Sequence, residues 1–250
     1  MGKRNGKNGD NGRNGYDSME LVMDKNIITQ KSIDKKDFLD KSIKIKCKNE
    51  KQKQFLNMID EYQIVLCCGP AGCGKSHLSL AKSLKLIQTP NNGYDKLYII
   101  TPAVEVEEKL GSLPGDLNSK LDPFLFSTYY LIDKIIGKDI REKMVNDGII
   151  QPLALAFLRG VNIDNAVLVF EEAQNASIKQ MKTLLTRIGF NSKLIISGDI
   201  KQIDRFRDSS ESGLLDAIDR FKNFSEIGQF HFSDGDSVRN DIINKLLKFY

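Results

Sequence analysis

An α/β domain with a mostly parallel sheet flanked by helices is predicted by three features of the sequence. Short apolar runs of strand length alternate with longer segments of helical periodicity. A glycine-rich octet sits between one such run and one such helix. Two further apolar runs end in acidic or Gly-Asp residues, the positions that face the ligand crevice in open parallel sheets. In chain order, candidate strands are 64–68, 96–100, 166–170, 193–197 and about 226–230. Residues 77–87 carry apolar side chains at helical spacing. The stretch 107–160, rich in Leu, Phe and Tyr, is expected to be a long helical crossover between the second and third strands. A final helical segment is expected over 236–249. The domain occupies 50–250. Ahead of it, residues 1–16 are Asn/Gly/Lys low-complexity sequence with little to bury, expected to be disordered. Residues 17–49 form a Lys/Asp-rich arm with too few apolar residues for a core of its own.

The octet is Gly69-Pro70-Ala71-Gly72-Cys73-Gly74-Lys75-Ser76, which fits G-x-x-x-x-G-K-[ST]. Strand, glycine loop, helix is the setting in which this pattern cradles phosphates: backbone N–H groups converge, and the helix N-terminus adds partial positive charge. Lys75 would reach the β- and γ-phosphates and the Ser76 hydroxyl would ligate Mg²⁺. Together with His77, which follows in the first helical turn and reads as a surface residue rather than a catalyst, these residues form the expected nucleotide site. The run 166–170 ends in Glu171-Glu172. Glu171 is placed to hold the metal through water and Glu172 to take a proton from attacking water. The bland alternative is that the acid pair caps a helix N-terminus. After the run 193–197 come Gly198-Asp199-Ile200-Lys201-Gln202, where the Gln202 amide could sense the γ-phosphate. In this order these features indicate a P-loop NTPase.

The chain resembles the PhoH-like proteins from about Lys51 to about Lys248. The likeness rests on Gly69 to Ser76, Pro102-Ala103-Val104-Glu105, Glu108-Lys109-Leu110-Gly111 and Leu113-Pro114-Gly115-Asp116-Leu117. It continues through Arg159-Gly160, Glu172-Ala173-Gln174-Asn175, Gln180-Met181-Lys182, Leu185 to Phe190, Gly198 to Asp204, Ser212-Gly213-Leu214 and Val238-Arg239. The resemblance implies a RecA-like single motor domain similar to the first motor domain of superfamily 1 helicases, with ATP and Mg²⁺ as ligands. It implies hydrolysis coupled to remodelling of single-stranded RNA or DNA, and a homo-oligomer, a hexamer by family habit. It also implies that Gln54 reads adenine and that Arg239 senses phosphate, within its own subunit or across an interface. A slow nucleotide switch that recruits a partner is the alternative function. The chain departs from the family at Glu171, where Asp is usual, at Thr101, where Arg is usual, and at Val161, where a second Arg often follows Arg159-Gly160.

The composition is compatible with this reading. Net charge is +4 and the pI about 8.7, which permits nucleic-acid binding without arguing for it. The four cysteines show no paired metal spacing and read as reduced thiols of a cytoplasmic protein. No apolar stretch reaches membrane-spanning length, and the N-terminus lacks a signal-peptide core. The alternating segment Lys41-Ser42-Ile43-Lys44-Ile45-Lys46 is expected to be an edge strand, with nucleic-acid contact as the alternative. Phe124, Phe126, Tyr129 and Tyr130 are expected to be the buried face of a helix, with base stacking as the alternative.

Overall fold

A computed structural model describes residues 36–102, 117–158, 160–206, 208–246 and 249. The expected tail over 1–16, most of the arm over 17–49, residues 103–116 and Arg159 lie outside the described residues. The elements run α1 (Glu50–Glu61), β1 (Ile64–Cys68), α2 (Lys75–Gln88), β2 (Lys96–Thr101), α3 (Leu117–Ile136) and α4 (Lys138–Asn146). They continue with β3 (Ile150–Ala154), β4 (Ala166–Phe170), α5 (Ile178–Leu185), β5 (Lys193–Gly198), α6 (Gly213–Arg220), β6 (Ile227–His231) and α7 (Asp241–Leu246). Among the described residues the strands form one parallel sheet in the order β3-β2-β4-β5-β1-β6.

Period-two alternation sends neighbouring side chains of each strand to opposite faces, so each face builds its own core. Val65, Cys67, Ile99, Val167, Val169 and Ile195 pack under α1 to α4. Leu66, Ile100, Leu168, Phe170, Leu194 and Ile196 pack under α5 and α6. Strands β4 and β5 are buried throughout, as central strands of a sheet covered on both faces must be. Phe55 of α1 is fully buried, its ring 5.4 Å from Phe230 and 5.6 Å from Phe232. Phe55→Ala is expected to cost about 3–5 kcal/mol, read as a lower urea midpoint at unchanged slope. The C-terminal carbonyls of α1 are met by a buried lysine from β5: Lys193 Nζ donates to Ile59 O and Tyr62 O. Burial pulls this ammonium below its ordinary pKa.

Four expectations are corrected. The crossover is not helical throughout: it contains edge strand β3, whose Pro152 lies opposite Ile99. Proline argues against a central strand but is tolerated at an edge. The segment 41–46 joins no ladder. Gln88 at the end of α2 instead donates to the carbonyls of Phe38 and Lys41, at 2.6 Å each. Phe38 and Ile43 are buried there, so the described end of the arm packs on the domain. The helix expected over 236–249 is shorter, because Asp236 closes a capping box with Ser233 and the chain bends before Asp241. Finally, Phe126 and Tyr130 are 75% and 54% exposed and Tyr129 is half-buried. The Phe124 side chain lies outside the described residues.

Candidate nucleotide site at the strand ends

Registers Cys68↔Gly198 and Phe170↔Ile196 bring the carboxyl ends of β1, β5 and β4 level. The octet, the Gly-Asp turn and the acid pair therefore open into one crevice, as expected for an open parallel sheet. The loop leaves β1 with Gly69 N donating to Gly198 O (3.2 Å). Gly72 and Gly74 have φ of +92° and +94°, a region that side chains with a Cβ rarely adopt. Gly74 is the N-cap of α2 and brings no capping side chain. The first-turn amides of α2 are thus left for an anion. Lys75 folds back over the loop, its Nζ donating to Gly69 O (2.6 Å) and Pro70 O (2.8 Å). Cys73 is buried, its Sγ donates to Pro70 O (2.9 Å), and burial pushes its thiol up. Such a thiol is inert rather than redox-active.

Upstream, Gln52 of α1 supports the loop. Gln52 is 3% exposed; its Nε2 donates to Cys73 O (2.9 Å) and its Oε1 accepts from Lys48 N (2.7 Å). Gln54 points to solvent on another face of α1. Helical periodicity held this information, because Gln52, Phe55 and Ile59 share the buried stripe.

Glu171 and Glu172 occupy different environments. Glu171 Oε2 accepts from Thr128 Oγ1 of α3 (2.9 Å), while Oε1 is buried with no hydrogen-bond partner. Burial raises its pKa above the ordinary carboxylate value; the nearby Ser76 hydroxyl and the bond from Thr128 offset this in part. Glu172 is exposed and held at φ +52°, a strained backbone of the kind found at functional sites. It sits at the N-cap of the turn Ala173–Asn175 without a side-chain cap bond, so the capping alternative fails for it. Its Oε2 instead accepts from Gln174 Nε2 (2.7 Å). Gln174 is itself buried: its Oε1 accepts from Asp199 N (3.1 Å) and its carbonyl from Ser212 Oγ (2.8 Å). Gln174 thereby ties the acid on β4 to the end of β5.

A cavity of about 400 Å³ is lined by Gly72, Lys75, Ser76, Glu172, Gln202 and Arg239. Ala71, Gly74 and an exposed His77 also border it. Partial desolvation of its ring, with Lys48 nearby, lowers the His77 pKa. Arg239 lies across the loop of its own chain. A Cβ on Gly72 would collide with Arg239 Cγ, and Val238 N donates to Gly72 O (3.0 Å). A second cavity of about 580 Å³ adjoins the first, sharing Ser76, Leu131 and Glu172 and reaching Thr128 and Glu171. Sequence reasoning assigned no role to Gln52, Thr128, Gln174 or Asp199. Gln174 and Asp199 lay inside recognised motifs, whereas Thr128 carried no signal at all.

The residues around Glu171 fit a magnesium ion bound with a nucleotide. Mg²⁺ takes few protein ligands and completes its shell with phosphate and water, and here a hydroxyl and a carboxylate with one unpaired buried oxygen stand together. Among the described residues no group of three or more His, Cys, Asp or Glu could hold an ion unaided. An ion placed here would need further ligands, such as phosphate oxygens, to complete its shell.

The model of the PhoH-like protein family matches residues 44–250. A PhoH-like protein of Bacillus subtilis is 38% identical over 211 residues, covering 84% of this chain and 64% of the relative. One from Mycobacterium leprae is 35% identical, covering 82% and 58%. The chain thus spans about three fifths of the length of these curated relatives. Among solved structures, the large terminase of a thermophilic bacteriophage aligns with a TM-score of 0.46 at 10% identity, covering 82% of this chain and 51% of that chain.

Proposed function

Because the chain belongs to the PhoH-like protein family, we propose that it binds Mg·ATP in this crevice and hydrolyses it, coupling turnover to remodelling of single-stranded nucleic acid. The observation that carries the reading is Glu171, whose buried, unpartnered oxygen stands by Ser76 while Glu172 shares the same strand end. Lys75 exchanges its two carbonyl partners for the β- and γ-phosphates, a stronger charge-assisted contact. The uncapped amides of α2 take the remaining phosphate oxygens. Ser76 and Glu171 would hold the magnesium, which would supply neutralisation of charge on the phosphates. Glu172, oriented by Gln174, accepts the proton of the attacking water. Gln202 and Arg239 face the γ-phosphate from the far wall. An intracellular, cytoplasmic oligomer, a hexamer by family habit, completes the proposal. Among the described residues no helix is long and apolar enough to cross a membrane.

The test measures Mg²⁺-dependent ATPase with and without a 20-nucleotide oligo(U), at low and raised salt. Wild-type hydrolysis is expected to rise with the oligonucleotide and to lose that rise steeply with salt. Lys75→Ala is expected to weaken ATP binding by about 10- to 100-fold, with circular dichroism unchanged. Near-normal affinity in the folded variant overturns the phosphate-loop reading. Hydrolysis indifferent to every single strand overturns the nucleic-acid half and favours a slow nucleotide switch.

A further inference from the structure

Helix α3 buries Leu125, Thr128, Ile132 and Ile136, the spacing of a stripe seated on a core. Its outer stripe is aromatic where charge is the norm. Phe126 and Tyr130 stand one turn apart, and one turn further on Lys134 holds its ammonium 5.1 Å from the Tyr130 ring centroid. Single exposed apolar residues are ordinary, but two large rings and a cation in one row form a continuous surface. The same helix reaches the chemistry on its inner side. Thr128 donates to Glu171, and Ser127 and Leu131 line the cavity behind the acid pair.

We propose that Phe126, Tyr130 and Lys134 form a stacking platform for the bases of a single strand, and that α3 transmits its occupancy to Glu171 through Thr128. The proposal rests on the nucleic-acid reading above and assigns it a place. Ring faces accept any base, and the cations of Lys134 and Lys138 suit the phosphates running past them. The exposed pairing of Lys138 with Glu142, at 3.7 Å, is too weak to withhold that charge. A strand lying across the rings holds α3 in place and so keeps the Thr128 hydroxyl on the metal-side carboxylate. Thr128 is thus a positioning residue, acting through Glu171.

The experiment uses the full chain and labelled 20-nucleotide oligo(U) and oligo(dT), read by fluorescence anisotropy and by the ratio of ATPase with to without oligonucleotide. Phe126→Ser with Tyr130→Ser is expected to weaken binding at least about 25-fold, from about fivefold or more per ring, while thermal unfolding stays cooperative. Thr128→Val is expected to bind the strand as wild type does but to lose stimulation, and Thr128→Ser to regain it. If wild type binds the strand and the double variant binds it equally, the platform is wrong and the proposed function stands. If wild type neither binds nor responds to either oligonucleotide, the proposed coupling falls with it. A change in sedimentation of the double variant with strand binding intact makes the stripe a subunit interface and overturns the proposal.

Discussion

Glu172→Gln is expected to lower ATP turnover about 10²- to 10⁴-fold, the range for loss of a positioned general base, while Mg·ATP affinity stays nearly unchanged. The substitution keeps the shape and removes the proton acceptor. The surrounding geometry explains why the effect belongs to Glu172 and not to its neighbour. Glu172 is exposed to the cavity that holds the phosphate loop, its backbone is fixed at φ +52°, and Gln174 Nε2 holds one carboxylate oxygen at 2.7 Å. The other oxygen is left for water. Glu171 is instead half-buried, with Oε1 buried and Oε2 accepting from the Thr128 hydroxyl, a setting that suits a metal ligand. Glu171→Ala should therefore raise the Mg²⁺ concentration needed for half-maximal turnover rather than reproduce the Glu172 phenotype. Single-turnover kinetics with a direct nucleotide-binding measurement separate the two. Full turnover in Glu172→Gln alongside collapse in Glu171→Ala at saturating Mg²⁺ would transfer the base to Glu171.

Much of this arrangement was legible because its determinants are local. The strands at 64–68 and 166–170 are bounded by turn residues and acids, and both match the structure to the residue. The glycine octet fixes its own geometry, since few residues other than Gly adopt the φ of positions 72 and 74. What escaped depends on contacts between distant segments. Strand β3 carries Pro152, which only its edge position permits. Helical spacing shows that Phe126 and Tyr130 share a face but not which face the sheet takes. The neighbours Leu125, Ile132 and Ile136 decide that by occupying the core. Gln174 and Thr128 acquire roles only because the β5 end and α3 come to lie beside β4. Arg239 was expected inside a helix, but the Ser233–Asp236 capping box starts a separate short turn, and Arg239 lies in a bend between that turn and α7.

That bend makes Arg239 the source of the second large effect. Arg239→Ala is expected to reduce hydrolysis about 10³- to 10⁵-fold, the range for an arginine that stabilises charge on a transferring phosphoryl group, with a much smaller loss of ATP binding. A domain with an open crevice raises the question of whether such an arginine serves its own site or a neighbour's. We propose that it serves its own site, on two contacts. Val238 N is bonded to Gly72 O, and the Arg239 side chain occupies the space beside Gly72 where a Cβ would otherwise fit. Reaching a neighbouring subunit would require breaking that bond and vacating the loop. Mixing Arg239→Ala with Lys75→Ala protein tests this. Action within one chain predicts no recovery of ATPase in the mixture, since each chain then lacks one half of its own site. Recovered activity at interfaces that pair an intact loop with an intact arginine would establish action in trans. In that case the contact with Gly72 is a resting position that the arginine leaves on assembly.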